Sequence, residues 1–198
     1  MPRDQARTVT RIMAQLGQLG VPVEQHQDPH PRAFLPGVWI DRGVLCVCPW
    51  ATWPGDVLHE AGHLALIPSR FRSAIRPGSI DKVEGPLGQA VTSFLLSQEG
   101  WERARTPGDS LIRALLQIGD EEAIAWAYAA AVSIGFSTRD AFVYRYADVP
   151  LAGQPYQGNG EEVWSSLQMG MHEGIEGLHQ AGLCDAKQYP QMKRWMQE

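Results

Sequence analysis

Cysteine is scarce in this chain: three residues among 198, an odd number and too few to frame a disulfide scaffold. That points to a reducing compartment, and the expected location is the cytoplasm. Long apolar runs are also missing. The longest uncharged stretch, Ala123 to Thr138, is rich in alanine and falls short of the ~20 residues a membrane span needs. It reads as a buried helix. No surplus of positive charge exists either. The net charge is −5, which argues against a dedicated nucleic-acid binder. Met1 to Leu19 mixes charged and apolar residues and has no continuous apolar core, so no secretory signal is expected there. Repeats, low-complexity tracts and linkers are not evident. The expectation is one globular domain over residues 1–198, with no nucleic acid and no membrane as partner.

What is present is a succession of short elements. Arg3 to Leu19 carries Val9, Ile12, Met13, Leu16 and Leu19 at three- and four-residue steps, the pattern of an amphipathic helix over 3–19. Glu24 to Pro36 is polar, holds three prolines and reads as loop. GVWIDRGVLCVCP over 37–49 reads as a β-hairpin turning at Asp41-Arg42-Gly43. Pro54-Gly55-Asp56 opens a helix over 55–67 that stops at Pro68. Ser69 to Gly78 reads as a basic loop, followed by helices near 87–99 and 111–118. Gly119-Asp120 stops one helix and caps the alanine-rich helix over 121–135. After a short helix over 137–146 and a Gly/Pro-rich loop, Asn159 caps C-terminal helices over 160–197. The fold class is therefore α+β and predominantly helical, with a small antiparallel sheet.

One motif carries chemistry. His59-Glu60-Ala61-Gly62-His63 is HExxH on the helix over 55–67. Positions i and i+4 stack on one helix face, so two imidazoles can hold one Zn²⁺ from a rigid backbone. Glu60 lies beside them, placed to act as general base on a zinc-activated water. A shuffle of this composition yields such a motif on the order of once in a hundred trials. Two core histidines on an apolar helix would give the same letters. Gly62, without a side chain, suits close approach of another element.

A catalytic zinc takes three protein ligands. A metzincin would place a histidine at position 69 and a glycine at position 66; here stand Ser69 and Leu66, so that class is excluded. A glutamate from another helix is the first choice, and two compete. Glu84 is separated from His63 by 20 residues, but Gly85-Pro86 follow it. Glu122 is separated by 58 and begins the buried alanine-rich helix, where a buried carboxylate needs a partner. Stabilisation by the helix dipole would also account for Glu122.

The order of hairpin, HEAGH helix and a later helix reading EAIAWA resembles the ImmA/IrrE-type metallopeptidases, zincins of gluzincin character. In that family a later helix reads like EANxFA; Ile124 replaces the usual asparagine and Trp126 the usual phenylalanine. The resemblance covers about residues 37–135. It implies a minimal zincin-like fold, with His59, His63 and Glu122 as zinc ligands and Glu60 as base. It also implies that the second hairpin strand, 44–48, lies near the substrate-aligning edge. The segment between the two motif helices is longer than usual, and no DNA-binding domain is recognisable, so the family's repressor-cleaving role does not transfer.

Other constellations are weaker. His172, Glu176 and His179 recur at helical spacing; His172 or His179 is a candidate oxyanion stabiliser, with Tyr144, Tyr146 and Tyr156 as competitors. A solvated helix face explains the same spacing. His26 to His30 has metal-ligand types but reads first as a solvated turn, Cys46 and Cys48 as buried small hydrophobes ahead of a metal pair, and Arg70, Arg72 and Arg76 as a solvated loop or a holder of a substrate carboxylate. The functional expectation is zinc-dependent hydrolysis of a peptide bond in a peptide or protein substrate. The rival readings are a non-catalytic zinc protein and a regulatory module with a degenerate zincin fold.

Overall fold

The computed structural model describes residues 3–78, 84–147 and 160–198, with side chains described for 4–78, 84–142 and 160–198. Asn159 and Tyr156, and the side chains of Tyr144 and Tyr146, lie outside these.

The apolar stripe of the first segment does form a helix, α1 (Arg3–Gln18), and Val9, Ile12, Met13 and Leu16 bury against the core. The hairpin forms as β2 (Val38–Asp41) and β3 (Val44–Val47), paired antiparallel with Trp39 opposite Cys46. Arg42 and Gly43 turn it with φ of 48° and 85°, the two-residue conformation whose twist matches the strands.

A third strand, β1 (Val23–Gln25), pairs parallel with β3, in the segment expected to be loop. Three residues are too short for alternation to be legible. The sheet is therefore mixed rather than antiparallel, in the order β1-β3-β2. This moves the edge: the strand expected to lie at it, over 44–48, is central, and β2 is at the edge beside the site.

Val38, Ile40, Leu45 and Val47 turn one sheet face onto α2 (Pro54–Leu66) and the rest of the core. Every residue of α2 except Pro54 and Glu60 is buried. Helices α3 (Ser69–Arg72), α4 (Pro86–Leu95), α5 (Gln98–Ala104) and α6 (Ser110–Leu115) follow. Ser97 splits the helix expected near 87–99, because its Oγ accepts the Gly100 N–H and starts α5.

Next come α7 (Asp120–Ser133), buried from Ala123 to Ala131, and α8 (Thr138–Ala147). Two glycines of α2 set the packing. A Cβ on Gly62 would stand 2.5 Å from the Ala123 carbonyl oxygen of α7, and one on Gly55 would stand 2.1 Å from that of Ala141 in α8. The glycine within HEAGH thus admits α7 at backbone contact, as its lack of a side chain suggested.

The C-terminal region differs from the expected helices over 160–197. Helix α9 (Gly160–Gln168) and helix α10 (Glu173–Gln180) are separated by Gly170 at φ 71°, and Gly182 at φ 76° ends α10. Residues 181–198 then run back as an irregular strap. Tyr189 donates to the Ala125 carbonyl at 2.7 Å, the Trp126 indole N–H donates to the Trp195 carbonyl at 3.0 Å, and the Gln197 N–H reaches the Ala65 carbonyl at 2.9 Å. Among the described residues no helix is long and apolar enough to cross a membrane.

Candidate metal centre

Helices α2 and α7 build the site between them. On α2 the two motif histidines point the same way, as their spacing requires: His59 Nε2 and His63 Nε2 are 3.1 Å apart. One carboxylate oxygen meets both. Asp120 Oδ1 lies 3.0 Å from His59 Nε2 and 3.3 Å from His63 Nε2. These separations match the edge of about 3.3 Å between ligand atoms of a tetrahedral ion with bonds near 2.0 Å. Two imidazole nitrogens and a carboxylate oxygen are also the donor types zinc prefers at hydrolytic sites. The residues present therefore fit the ion that the motif implies.

Burial divides the three unevenly. The histidine side chains are 7% and 6% exposed, whereas that of Asp120 is 66% exposed. One flank of the cluster thus faces the packed core and the other faces water, as an open coordination position demands. Hydrogen bonds from His59 and His63 hold the Asp120 carboxyl well below the usual carboxylate range, so it is ionised at neutral pH.

The helical face explains why Asp120 takes this place. Gly119 is the N-cap and Asp120 the first helical residue, rather than the cap expected from the sequence. Asp120 and Ala123 stand three apart on one face, and Ala123 is the residue that meets Gly62. Whatever precedes Ala123 by one turn must face the HExxH histidines. Glu122, two residues on, is rotated by about 200°. Its carboxylate lies in a slot between Gly119 and Gly177 of α10, where burial pushes its pKa up. Sequence reasoning missed Asp120; the signal available was the Asp120/Ala123 spacing combined with the small Gly62. Glu84 is exposed, just before α4.

Of the polar residues of α2, Glu60 is the one that is not buried. It lines a cleft of about 300 Å³ together with Val38, Trp39 and Ile40 of the edge strand, Phe34 and Arg76. Of the three arginines in the basic segment, only Arg76 is in this cleft. Arg70 pairs with Glu99 at 2.8 Å and lies over the Phe94 ring, while Arg72 binds the carbonyls of Ile67 and Gln197.

His172 and His179 do not share a face. His172 is the N-cap of α10: its Nδ1 accepts the Gly174 N–H at 3.2 Å, and its Nε2 lies 3.2 Å from Glu121 Oε2. Because Nδ1 accepts, the neutral ring carries its proton on Nε2 and donates to Glu121. Burial pushes the His172 pKa down, which keeps it neutral. His172 thus ties α10 to the residue beside Asp120. His179 is exposed at the other end of α10, with Nδ1 3.3 Å from the Cys184 carbonyl oxygen. No family model, curated protein or solved structure matches this chain.

Proposed function

We propose that the protein is a zinc-dependent peptidase of zincin type that hydrolyses a peptide bond in a peptide or protein substrate. The observation that carries this reading is the convergence of three donor atoms, on His59, His63 and Asp120, with Glu60, the one polar residue of α2 that is not buried, lining a cleft. His59, His63 and Asp120 would hold a zinc ion, which when bound would supply Lewis acidity and lower the pKa of a water. Glu60 takes the proton of the attacking water and delivers it to the leaving amine. Strand β2, at the sheet edge and lining the same cleft, offers a backbone against which an extended substrate can add as a strand. Arg76 lines that cleft and is suited to a substrate carboxylate. His172 belongs to the support of Glu121 and α10, and the oxyanion donor falls to another group.

Glu60→Gln tests the mechanism. The variant is expected to keep about one zinc per chain and to lose at least ~100-fold in cleavage of an unfolded protein, the scale of a lost general base. Undiminished cleavage would reject Glu60 as base. A wild-type protein that holds zinc tightly and cleaves nothing would return the site to a structural role.

A further inference from the structure

The sheet has a second face, turned away from α2, and it is not inert. Cys46 on central β3 is in register with Glu24 of β1 on one side and Trp39 of β2 on the other. Alternation along the strands puts Asp41 on the same face as Trp39. The chain leaving β1 folds over this face, and the His26 ring sits edge-on to Trp39 at 4.8 Å. Three ligand-type atoms are thereby gathered: a Glu24 carboxylate oxygen, a ring nitrogen of His26 and Cys46 Sγ, all within 4.8 Å of one another. His26 Nε2 and Glu24 Oε2 are 3.9 Å apart.

Two polar atoms here are buried without satisfaction. His26 Nε2 and Asp41 Oδ1 are shielded from water and have no hydrogen-bond partner among the described residues. Such atoms cost free energy unless something fills the space between them. The space exists: a cavity of about 430 Å³ is lined by Glu24, His26, Asp41 and Cys46. Three carboxylates (Glu24, Asp28 and Asp41), two imidazoles (His26 and His30) and the Cys46 thiol are among the groups that line it, together with Arg42.

We propose that Glu24, His26 and Cys46 form a second divalent-cation site, for zinc or an ion of similar softness, on the outer face of the sheet. Mixed N, O and S donors suit zinc and exclude magnesium and calcium, which take oxygen. Binding forms bonds to the imidazole nitrogen, the carboxylate oxygens and the thiolate sulfur, and the Cys46 thiol proton leaves to solvent. The Glu24 side chain is 66% exposed, so it is free to swing the last ångström inward. The ion would staple the three-residue β1, and the loop after it, to the centre of the sheet. This site is independent of the HExxH centre, which has no thiol.

Cobalt separates the two. Metal-depleted protein titrated with Co²⁺ is expected to take up two equivalents, one of them giving a thiolate-to-cobalt charge-transfer band in the near ultraviolet. The band should survive His59→Ala/His63→Ala and vanish in Cys46→Ser, with circular dichroism confirming that both variants are folded. Glu24→Gln, at an exposed and readily tolerated position, should weaken Co²⁺ binding at this site at least tenfold. Absence of the band in the wild type, or its persistence in Cys46→Ser, would overturn the proposal. Neither result bears on Glu60.

Discussion

Asp120 and Glu122 are two residues apart, and the distinction between them decides how the proposed metal would be held. Asp120 Oδ1 touches both imidazoles, while Glu122 occupies a glycine-lined slot against α10. Asp120→Ala is expected to lower zinc affinity at least tenfold, and Glu122→Ala to leave metal content intact while lowering thermal stability. Metal analysis of the two variants after dialysis checks this. Loss of zinc in Glu122→Ala alone would restore the expectation drawn from the sequence. A second prediction at this scale concerns Cys184. Burial pushes its thiol up to about 11. Unfolding frees the thiol to ionise near its ordinary value of about 8.5. Between those limits the unfolded chain loses a proton that the folded chain keeps, so stability falls as pH rises, by about 1.4 kcal/mol per unit for this group. Urea midpoints between pH 8.5 and 10.5 should decline less steeply in Cys184→Ala than in the wild type. That His59 and His63 share one face was legible from spacing alone, because i and i+4 fix a helix face. The role of Asp120 was not, since it depends on which face of α7 meets α2.

Between elements, the decisive contact is α2 against α7. The Ala123 carbonyl stands where a side chain at position 62 would begin, and backbone cannot move aside as a flexible side chain can. Gly62→Ala should therefore cost about 1–3 kcal/mol, and it should also spread the distance between Asp120 and the histidines. Thermal unfolding and zinc retention, measured together, check both effects. Gly17→Ala in α1 is the contrasting case. Nothing lies within 4 Å of the added methyl, so helix propensity should raise stability by about 0.5–1 kcal/mol. The larger helices and the hairpin were readable because each carries its own period or turn signal. Strand β1 and the break between α9 and α10 were not, because a three-residue strand (Val23-Glu24-Gln25) and a single glycine leave no periodic trace. The parallel pairing of β1 with β3 changed more than the strand count: it made β3 central and gave β2 the edge beside Glu60.

Across the whole molecule, the proposed metal would bear on the stability of the fold. The first turn of α7 carries Asp120, Glu121 and Glu122, and Glu173 of α10 adds a fourth acid close enough to raise the pKa values of Glu121 and Glu122. A divalent cation held by His59, His63 and Asp120, as proposed, would relieve that crowding and tie α7 to α2. Removing it with a chelator should lower the unfolding temperature. At free zinc one hundred times the dissociation constant, the lost stabilisation is about 2.7 kcal/mol, several degrees for a chain of this size. An unchanged transition would show that the helices hold their places without the ion. The strap over residues 181–198 has a consequence in time. A ribosome delivers the HExxH helix long before it delivers Tyr189, Trp195 and Gln197, which bond to Ala125, Trp126 and Ala65. The nascent chain must therefore wait with the underside of its two central helices uncovered, and the pair can be locked together only once the strap has emerged.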